Sequence, residues 1–198
     1  MDDWQEHFTL YLKILGAMLC SQSPKAVREA RLALLVRTGD PISLAMAEGV
    51  RAGLPELSGW LAEREQVRGR WREFFAAHDL LLAPACQGNA FAHHSFDSSA
   101  LFAGCTETLT IAGQTVPYLM NAFFASVSTL SGLPATAFPA DQTVRGLPVG
   151  LQVIGPYLND LTPIGFLGML EESGLIGFRA PPDLPAGALD TPQERRPG

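Results

Sequence analysis

The stretch GLPATAFPADQTVRGLPVGLQVIGP, residues 132–156, decides the fold of this chain. Each of its two Gly-Leu-Pro tripeptides precedes a short apolar run, at residues 135–138 and 149–154. Short apolar runs bounded by glycine and proline are typical of buried strands. Charged side chains occur only between the two runs, at Asp141 and Arg145. The stretch therefore predicts two interior strands at the centre of an α/β domain, joined by a loop at the surface.

The flanking sequence predicts helices before and after these strands, because apolar side chains recur there at helical spacing. The predicted helices cover about residues 3–21, 24–38, 43–52, 55–77, 118–130 and 160–172. Between the fourth and fifth helices we predict a fully buried strand at 80–83, a loop at 85–107 and a hairpin of 109–111 with 115–116. This order indicates one domain over residues 1–182, mainly helical over 1–78 and with sheet and covering helices over 79–175. Residues 183–198 are predicted to be a mobile, proline-rich tail.

Composition excludes several classes of protein. With 47% hydrophobic and 17% charged residues, the 198-residue chain is too apolar for a disordered protein. A net charge of −6 argues against a nucleic-acid partner. The longest uncharged window, 108–140, contains three prolines and Asn121, so no membrane span is predicted. Three cysteines without CxxC spacing indicate free thiols in a reducing compartment, and we expect a cytoplasmic protein.

Four segments of the chain carry a family pattern. They are LLLAP at 80–84, GLPATAFPA at 132–140, GLPVGLQVIGP at 146–156, and a helix that begins after Asp160 and ends at Leu170-Glu171. Together they resemble the C-terminal part of the amidase signature family over roughly residues 55–175. The resemblance implies a partial amidase-signature fold, with a mixed β-sheet core flanked by helices and a helical N-terminal part. It also implies hydrolysis of amides, at carbon–nitrogen bonds other than peptide bonds, by a serine nucleophile.

The catalytic elements of that family are missing from this sequence. The family uses a Gly- and Ser-rich loop that bears the nucleophile, a second serine in a cis peptide bond and a lysine base. The chain has no Gly-Gly pair, and its two lysines, Lys13 and Lys25, lie in the helical region. Without such a loop, neither an activated serine nor an oxyanion hole forms. We therefore predict an incomplete amidase, similar to about the last two-fifths of the family, with no catalytic residue and no cofactor, and inactive alone.

Other reactive side chains have simpler interpretations. A cysteine hydrolase would need Cys86 or Cys105 beside His93 or His94, yet isolated cysteines in apolar surroundings are usually inert. The same histidines with Asp97 and Cys86 lack the spacing of metal ligands, so no metal site is predicted. The remaining candidates fit no nucleophile-elbow or phosphate-loop pattern and are predicted to be structural. They are Ser126, Ser128, Ser131, Gly132, Gly146 and Gly150.

The predicted substrate-binding residues are Asn121, Phe123 and Phe124, which are polar and aromatic on an uncharged helix. Plain core packing is the alternative for all three. Because residues 108–140 carry no charge, apolar or aryl amides are the expected small-molecule substrates. Three functions stay open: an incomplete amidase, a non-catalytic binding module derived from one, and a cysteine hydrolase. We expect the chain to need a missing N-terminal half or self-association, because its uncharged strands require neighbours.

Overall fold

A computed structural model describes residues 4–91, 107–142 and 146–177. The helices in these ranges are α1 (Trp4–Cys20), α2 (Lys25–Thr38), α3 (Pro41–Arg51), α4 (Leu54–Ala77), α5 (Phe123–Ser131) and α6 (Leu161–Glu172). The strands are β1 (Leu81–Pro84), β2 (Thr108–Ile111), β3 (Gln114–Pro117), β4 (Ala135–Gln142) and β5 (Pro148–Ile154). The predictions for His93, His94, Asp97, Cys105 and the tail at 183–198 lie outside the described residues.

All six predicted helices are confirmed, with differences at their ends. α3 begins at Pro41, two residues before the predicted start, because the Asp40 side chain caps it. Asp40 Oδ1 accepts hydrogen bonds from the backbone N–H groups of Ile42 at 2.9 Å and Ser43 at 3.1 Å. The segment predicted as one helix from residue 118 is divided into a short 3₁₀ helix, Tyr118–Ala122, and α5. None of the described helices combines the length and apolarity needed to cross a bilayer.

Helices α1 and α3 pack with their backbones in close contact, and two glycines make this approach possible. A Cβ atom on Gly16 would overlap the carbonyl oxygen of Met46, and one on Gly49 would overlap that of Lys13. The pair is also joined by an ion pair between Lys13 Nζ and Glu48 Oε2, 2.7 Å apart. The N-terminal helices therefore form a tightly packed layer.

The main sheet has three strands in the order β1-β5-β4. In its centre, Ile154 is paired with Leu81 on one side and Ala135 on the other. The α/β class is confirmed, but the described pairings differ from the predicted mixed sheet because both are antiparallel. The predicted hairpin is confirmed as β2-β3, and its turn is formed by Ala112 and Gly113 with φ of 51° and 79°.

The two faces of the sheet are covered to different extents. Leu81 and Ile154 point to the inner face, which packs on α1, α4 and α5 around the buried Trp71. Leu82 and Val153 share the outer face, where α6 packs against β4. Leu82 is 58% exposed, so the prediction of a fully buried strand at 80–83 is wrong. Its residues alternate between faces, and α6 covers only part of the outer one.

The buried apolar residues form two clusters, and Tyr11 packs against both. The first cluster joins α1, α2 and α3 through Phe8, Leu12, Cys20, Leu35, Ala45, Met46, Ala47 and Val50. The second joins α1, α4, α5 and the sheet through Leu10, Val67, Trp71, Val127, Leu130, Leu133 and Ile154. Through Tyr11 and its own two-sided packing, α1 holds the helical layer against the sheet.

Candidate functional site

A cavity of about 730 Å³ lies where the chain leaves β1, beside the β2-β3 hairpin. Its walls are residues 87–91, residues 109–113, Asn121 and Leu147. Phe91 and Leu147 belong to its apolar lining, and none of these lining residues carries an ionisable side chain. A pocket of this size with few polar groups is suited to a small, uncharged organic ligand. We call it the Asn121 cavity.

Gln152 on the central strand positions two walls of the Asn121 cavity. Its buried side-chain amide donates hydrogen bonds to the carbonyl oxygens of Pro84 at 2.9 Å and Phe124 at 3.1 Å. Pro84 ends β1 just before the wall at 87–91, and Phe124 lies just after Asn121. One side chain therefore fixes the first wall relative to the second. Gln152 was not predicted as a site residue, although a polar residue inside the apolar run 149–154 is a signal of such a role.

The structure separates the three predicted substrate-binding residues. Asn121 lies in the 3₁₀ helix and lines the cavity. Phe123 packs instead against α1, with its ring centroid 6.2 Å from that of Trp4 and 5.4 Å from that of Phe8. The Phe124 ring lies edge-on to Phe123 at 5.2 Å and does not line the cavity either. Substrate binding by all three stays a prediction, and the geometry favours it for Asn121.

The serines of α5 use their hydroxyl groups within the helix. Ser126 Oγ donates to the carbonyl oxygen of Phe123 at 2.6 Å, and Ser128 Oγ donates to that of Ala125 at 3.2 Å. Bonds of this kind to the preceding turn are a common structural use of serine. Ser131 Oγ is buried and has no partner among the described residues. These contacts agree with the structural interpretation of Ser126 and Ser128.

A buried histidine on α1 was not anticipated from the sequence. His7 Nε2 lies 3.2 Å from the carbonyl oxygen of Ser126, so the ring nitrogen must donate and carry the proton. Burial lowers the pKa of His7, the hydrogen bond to Ser126 opposes this, and the charge of Arg70 lowers the pKa further. The ring is therefore neutral at pH 7, and it contacts a carbonyl group rather than a serine hydroxyl. The signal in the sequence was its helical spacing from Trp4 and Tyr11.

The two lysines lie in the helical layer and not in the Asn121 cavity. Lys13 is paired with Glu48, and its Nζ also lies 5.7 Å from the centre of the Trp60 ring. Lys25 Nζ lies 3.7 Å from Glu29 Oε1 on the exposed surface of α2. Neither lysine has the surroundings of a base that activates a serine.

The remaining candidates occupy structural positions. The exposed Cys86 donates its thiol hydrogen to the carbonyl oxygen of Gly88 at 2.9 Å. Gly132 ends α5 with φ of 69°, Gly146 has φ of 75°, and a Cβ atom on Gly150 would lie 3.4 Å from the Cβ of Ala85. In the described ranges, no three His, Cys, Asp or Glu side chains come together as metal ligands.

Comparison with known proteins identifies the fold. The Amidase family profile matches residues 56–162, which is just over half of the chain. The chain belongs to the amidase family. The resemblance carried by the four sequence segments is thereby confirmed, and so is a partial amidase-signature fold of the α/β class.

Among curated relatives, a glutamyl-tRNA(Gln) amidotransferase subunit from Hyphomonas neptunium is 34% identical over 123 residues. The match covers 60% of this chain and 22% of the relative. The corresponding protein from Granulibacter bethesdensis is 31% identical over 127 residues, covering 64% of this chain and 22% of that protein. This amidase chain thus spans about a fifth of the length of these relatives.

Solved structures show the same partial coverage. One chain comes from a vestigial protein complex linked to the origins of an s-triazine catabolic enzyme. It aligns with a TM-score of 0.64 at 17% identity, over 90% of this amidase chain and 36% of that chain. A bacterial aryl acylamidase of the amidase signature family aligns with a TM-score of 0.58 at 19% identity, over 87% of this amidase chain and 34% of that chain. At these identities the likeness establishes the fold alone.

Proposed function

We propose that this chain contributes one wall of the substrate pocket of an amide hydrolase and supplies no serine nucleophile or lysine base of its own. The observation that carries the proposal is the placement of the two lysines, one paired with Glu48 and the other exposed on α2. A serine amidase of this family needs a lysine beside its nucleophile, as the resemblance implies. The remaining catalytic groups then come from amidase sequence that this chain does not span.

The proposed substrate is an apolar or aryl amide. The Asn121 cavity supports this class because its lining contains Phe91, Leu109, Ile111 and Leu147 and no ionisable side chain. A charged substrate would lose its hydration there without gaining an ion pair, which is costly. Asn121 offers an amide that can both donate to and accept from the amide group of the substrate. We also propose that residues 1–182 act as one partial domain, in agreement with the packing of α1 on both clusters.

The test is hydrolysis of 4-nitroacetanilide, followed by release of 4-nitroaniline. We expect the purified chain alone to give no rate above buffer. We expect hydrolysis when the chain is mixed with the remaining, N-terminal part of the Hyphomonas neptunium relative. In that mixture Asn121→Ala should lower kcat/KM at least ~10-fold, because a lost polar contact to a bound substrate is typically worth ~1.5 kcal/mol or more. Gln66→Ala, an exposed change on α4, is the matched control and should leave the rate unchanged.

Three outcomes would contradict the proposal. Turnover by the chain alone that is lost on Cys86→Ser would favour a cysteine hydrolase instead. Turnover by the chain alone that survives this substitution would reveal a catalytic group that we have not identified. A mixture that binds but never hydrolyses would favour the second candidate, a non-catalytic binding module. The large exposed apolar residues of α6 give this second candidate its support.

A further inference from the structure

A second pocket, of about 410 Å³, lies between the C-terminal half of α4 and the segments that follow α5 and β5. It shares no lining residue with the Asn121 cavity. Its lining is mainly apolar and includes three aromatic residues, Trp71, Phe75 and Tyr157. Unlike the Asn121 cavity, it is also lined by arginines, Arg68 and Arg72. We call it the Arg68 pocket.

Three contacts hold the Arg68 guanidinium group in place at this pocket. Its Nε donates a hydrogen bond to the carbonyl oxygen of Ser131 at 3.0 Å, and its Nη1 donates one to Glu65 Oε1 at 2.8 Å. The guanidinium carbon also lies 5.6 Å from the centre of the Tyr157 ring. Because a guanidinium group has five N–H donors in a rigid fork, these two bonds leave donors available for a further acceptor. An arginine fixed in this way is suited to binding a carboxylate.

The charged side chains of the Arg68 pocket leave an excess of positive charge. Glu65 is the one acidic residue in its lining, and it is already shared by two arginines. Glu65 Oε1 lies 2.8 Å from Arg68 Nη1 and 3.7 Å from Arg64 Nη2. Arg72 follows Arg68 by one helical turn on the same face of α4, and it makes no ion pair with any residue that the structure describes. Two bases and one acid therefore line the pocket, which favours an anionic ligand.

Two buried polar atoms in the lining of the Arg68 pocket have no hydrogen-bond partner in the described part of the chain. They are Trp71 Nε1 and Ser131 Oγ, and the two residues are 2% and 0% exposed. Buried polar groups in native proteins almost always have a partner, because an unpaired one is costly. The indole N–H of tryptophan can only donate, so it requires an acceptor. These donors, like Arg68, favour a ligand that carries acceptor oxygens.

We infer that the Arg68 pocket binds a small aromatic carboxylate. The carboxylate pairs with the Arg68 fork and with Arg72, and the ring packs against Trp71, Phe75 and Tyr157. An inorganic anion would leave these aromatic walls uncovered, whereas a neutral aromatic compound would form no ion pair with the arginines. The volume of about 410 Å³ is near the lower end for ligand pockets and suits a body of one or two rings. This inference goes beyond the proposed function and does not depend on it.

The test is titration of the whole chain with 2-naphthoate, followed by isothermal titration calorimetry. We expect saturable binding that weakens at least ~10-fold in Arg68→Gln, because a hydrogen bond between charged groups is typically worth that factor or more. Arg72→Gln should weaken binding ~3-fold, since an exposed charge contributes less. Arg70→Gln removes the same charge from an exposed position of α4 that does not line the pocket, so it is the matched control and should bind as the parent chain does. The neutral analogue 2-naphthylmethanol and inorganic phosphate should each bind at least ~10-fold more weakly than 2-naphthoate.

Thermal melts followed by circular dichroism establish that each variant is folded. Should Arg68→Gln fail to fold, Arg72→Gln decides the test, because the exposed Arg72 side chain makes no ion pair with any described residue. The inference is overturned if 2-naphthoate does not bind saturably, or if Arg72→Gln binds it as tightly as Arg70→Gln does. It is also overturned if phosphate or 2-naphthylmethanol binds as tightly as 2-naphthoate. Hydrogen exchange should show protection by 2-naphthoate in the second half of α4, and protection confined to residues 109–113 would place the ligand in the Asn121 cavity instead. None of these outcomes depends on the hydrolysis assay, so the two proposals can fail separately.

Discussion

Alanine at Gly49 should destabilise the chain, whereas alanine at Gly59 should stabilise it. A Cβ atom on Gly49 would overlap the Lys13 carbonyl oxygen and come within 2.9 Å of the Ala17 backbone nitrogen. Both obstacles are backbone atoms of α1, so no side-chain movement relieves them. A Cβ atom on Gly59, inside α4, meets nothing within 4 Å.

The two substitutions share one favourable contribution and differ in the packing cost. Replacing glycine by alanine inside a helix gains about 0.5–1 kcal/mol. Overpacking typically costs about 1–3 kcal/mol, and two rigid helix backbones put Gly49 at the upper end. The net change for Gly49→Ala is then a loss of about 2 kcal/mol, which lowers Tm by about 4–8 °C for a chain of this size. Gly59→Ala should raise Tm by about 1–4 °C.

The assay is thermal unfolding followed by circular dichroism at 222 nm, under identical conditions for the parent chain and both variants. The difference in sign between the two helical glycines separates packing from helix propensity. If Gly49→Ala unfolds at or above the Tm of the parent chain, the contact between α1 and α3 leaves room for a Cβ atom at this position, and the reasoning is refuted.

Three further outcomes are expected in urea denaturation. Gln152→Leu should lower the free energy of unfolding by about 1–3 kcal/mol, because two buried carbonyl groups lose their donor; unchanged stability would contradict the bridging role. For His7, whose folded-state pKa lies below its usual 6.5, stability should fall as the pH decreases below that value, because the unfolded chain takes up the proton first. His7→Gln should flatten that dependence below pH 6.5, and an equally steep curve would assign the dependence to another group. Asp40→Ala should lower the free energy of unfolding by about 1 kcal/mol, because the cap of α3 is lost. Asp40→Asn should retain most of the stabilisation that the cap provides.

Local sequence signals were sufficient to predict the helices and the class of the fold. The spacing of apolar residues located all six helices, and the glycine and proline boundaries located β4 and β5. These signals act over a few residues, so they can be read without knowledge of what lies nearby in space. The four motifs between residues 80 and 171 were sufficient to predict the family, and the profile match at 56–162 confirmed it.

The candidate site could be predicted only in part. Asn121 was expected at a pocket and lines one, but Phe123, two residues later, faces the α1 core. An uncharged helix gives no hydrophobic stripe that distinguishes its faces, so the sequence could not orient these residues. Gln152 and His7 escaped notice for a related reason. Their partners lie 28 or more residues away in the chain, and only the packed structure brings them together.

The sequence by itself determined which segments are helix and strand, the α/β class and the family. It also excluded a strongly basic surface, because charge and periodicity are properties of the chain alone. The tertiary structure decided the antiparallel pairing of β1 and β4 on β5 and the exposure of Leu82. An apolar run records that its residues prefer burial, but not which neighbour covers them. Coverage depends on where α6 packs on the sheet, and that is set by contacts between segments far apart in the chain.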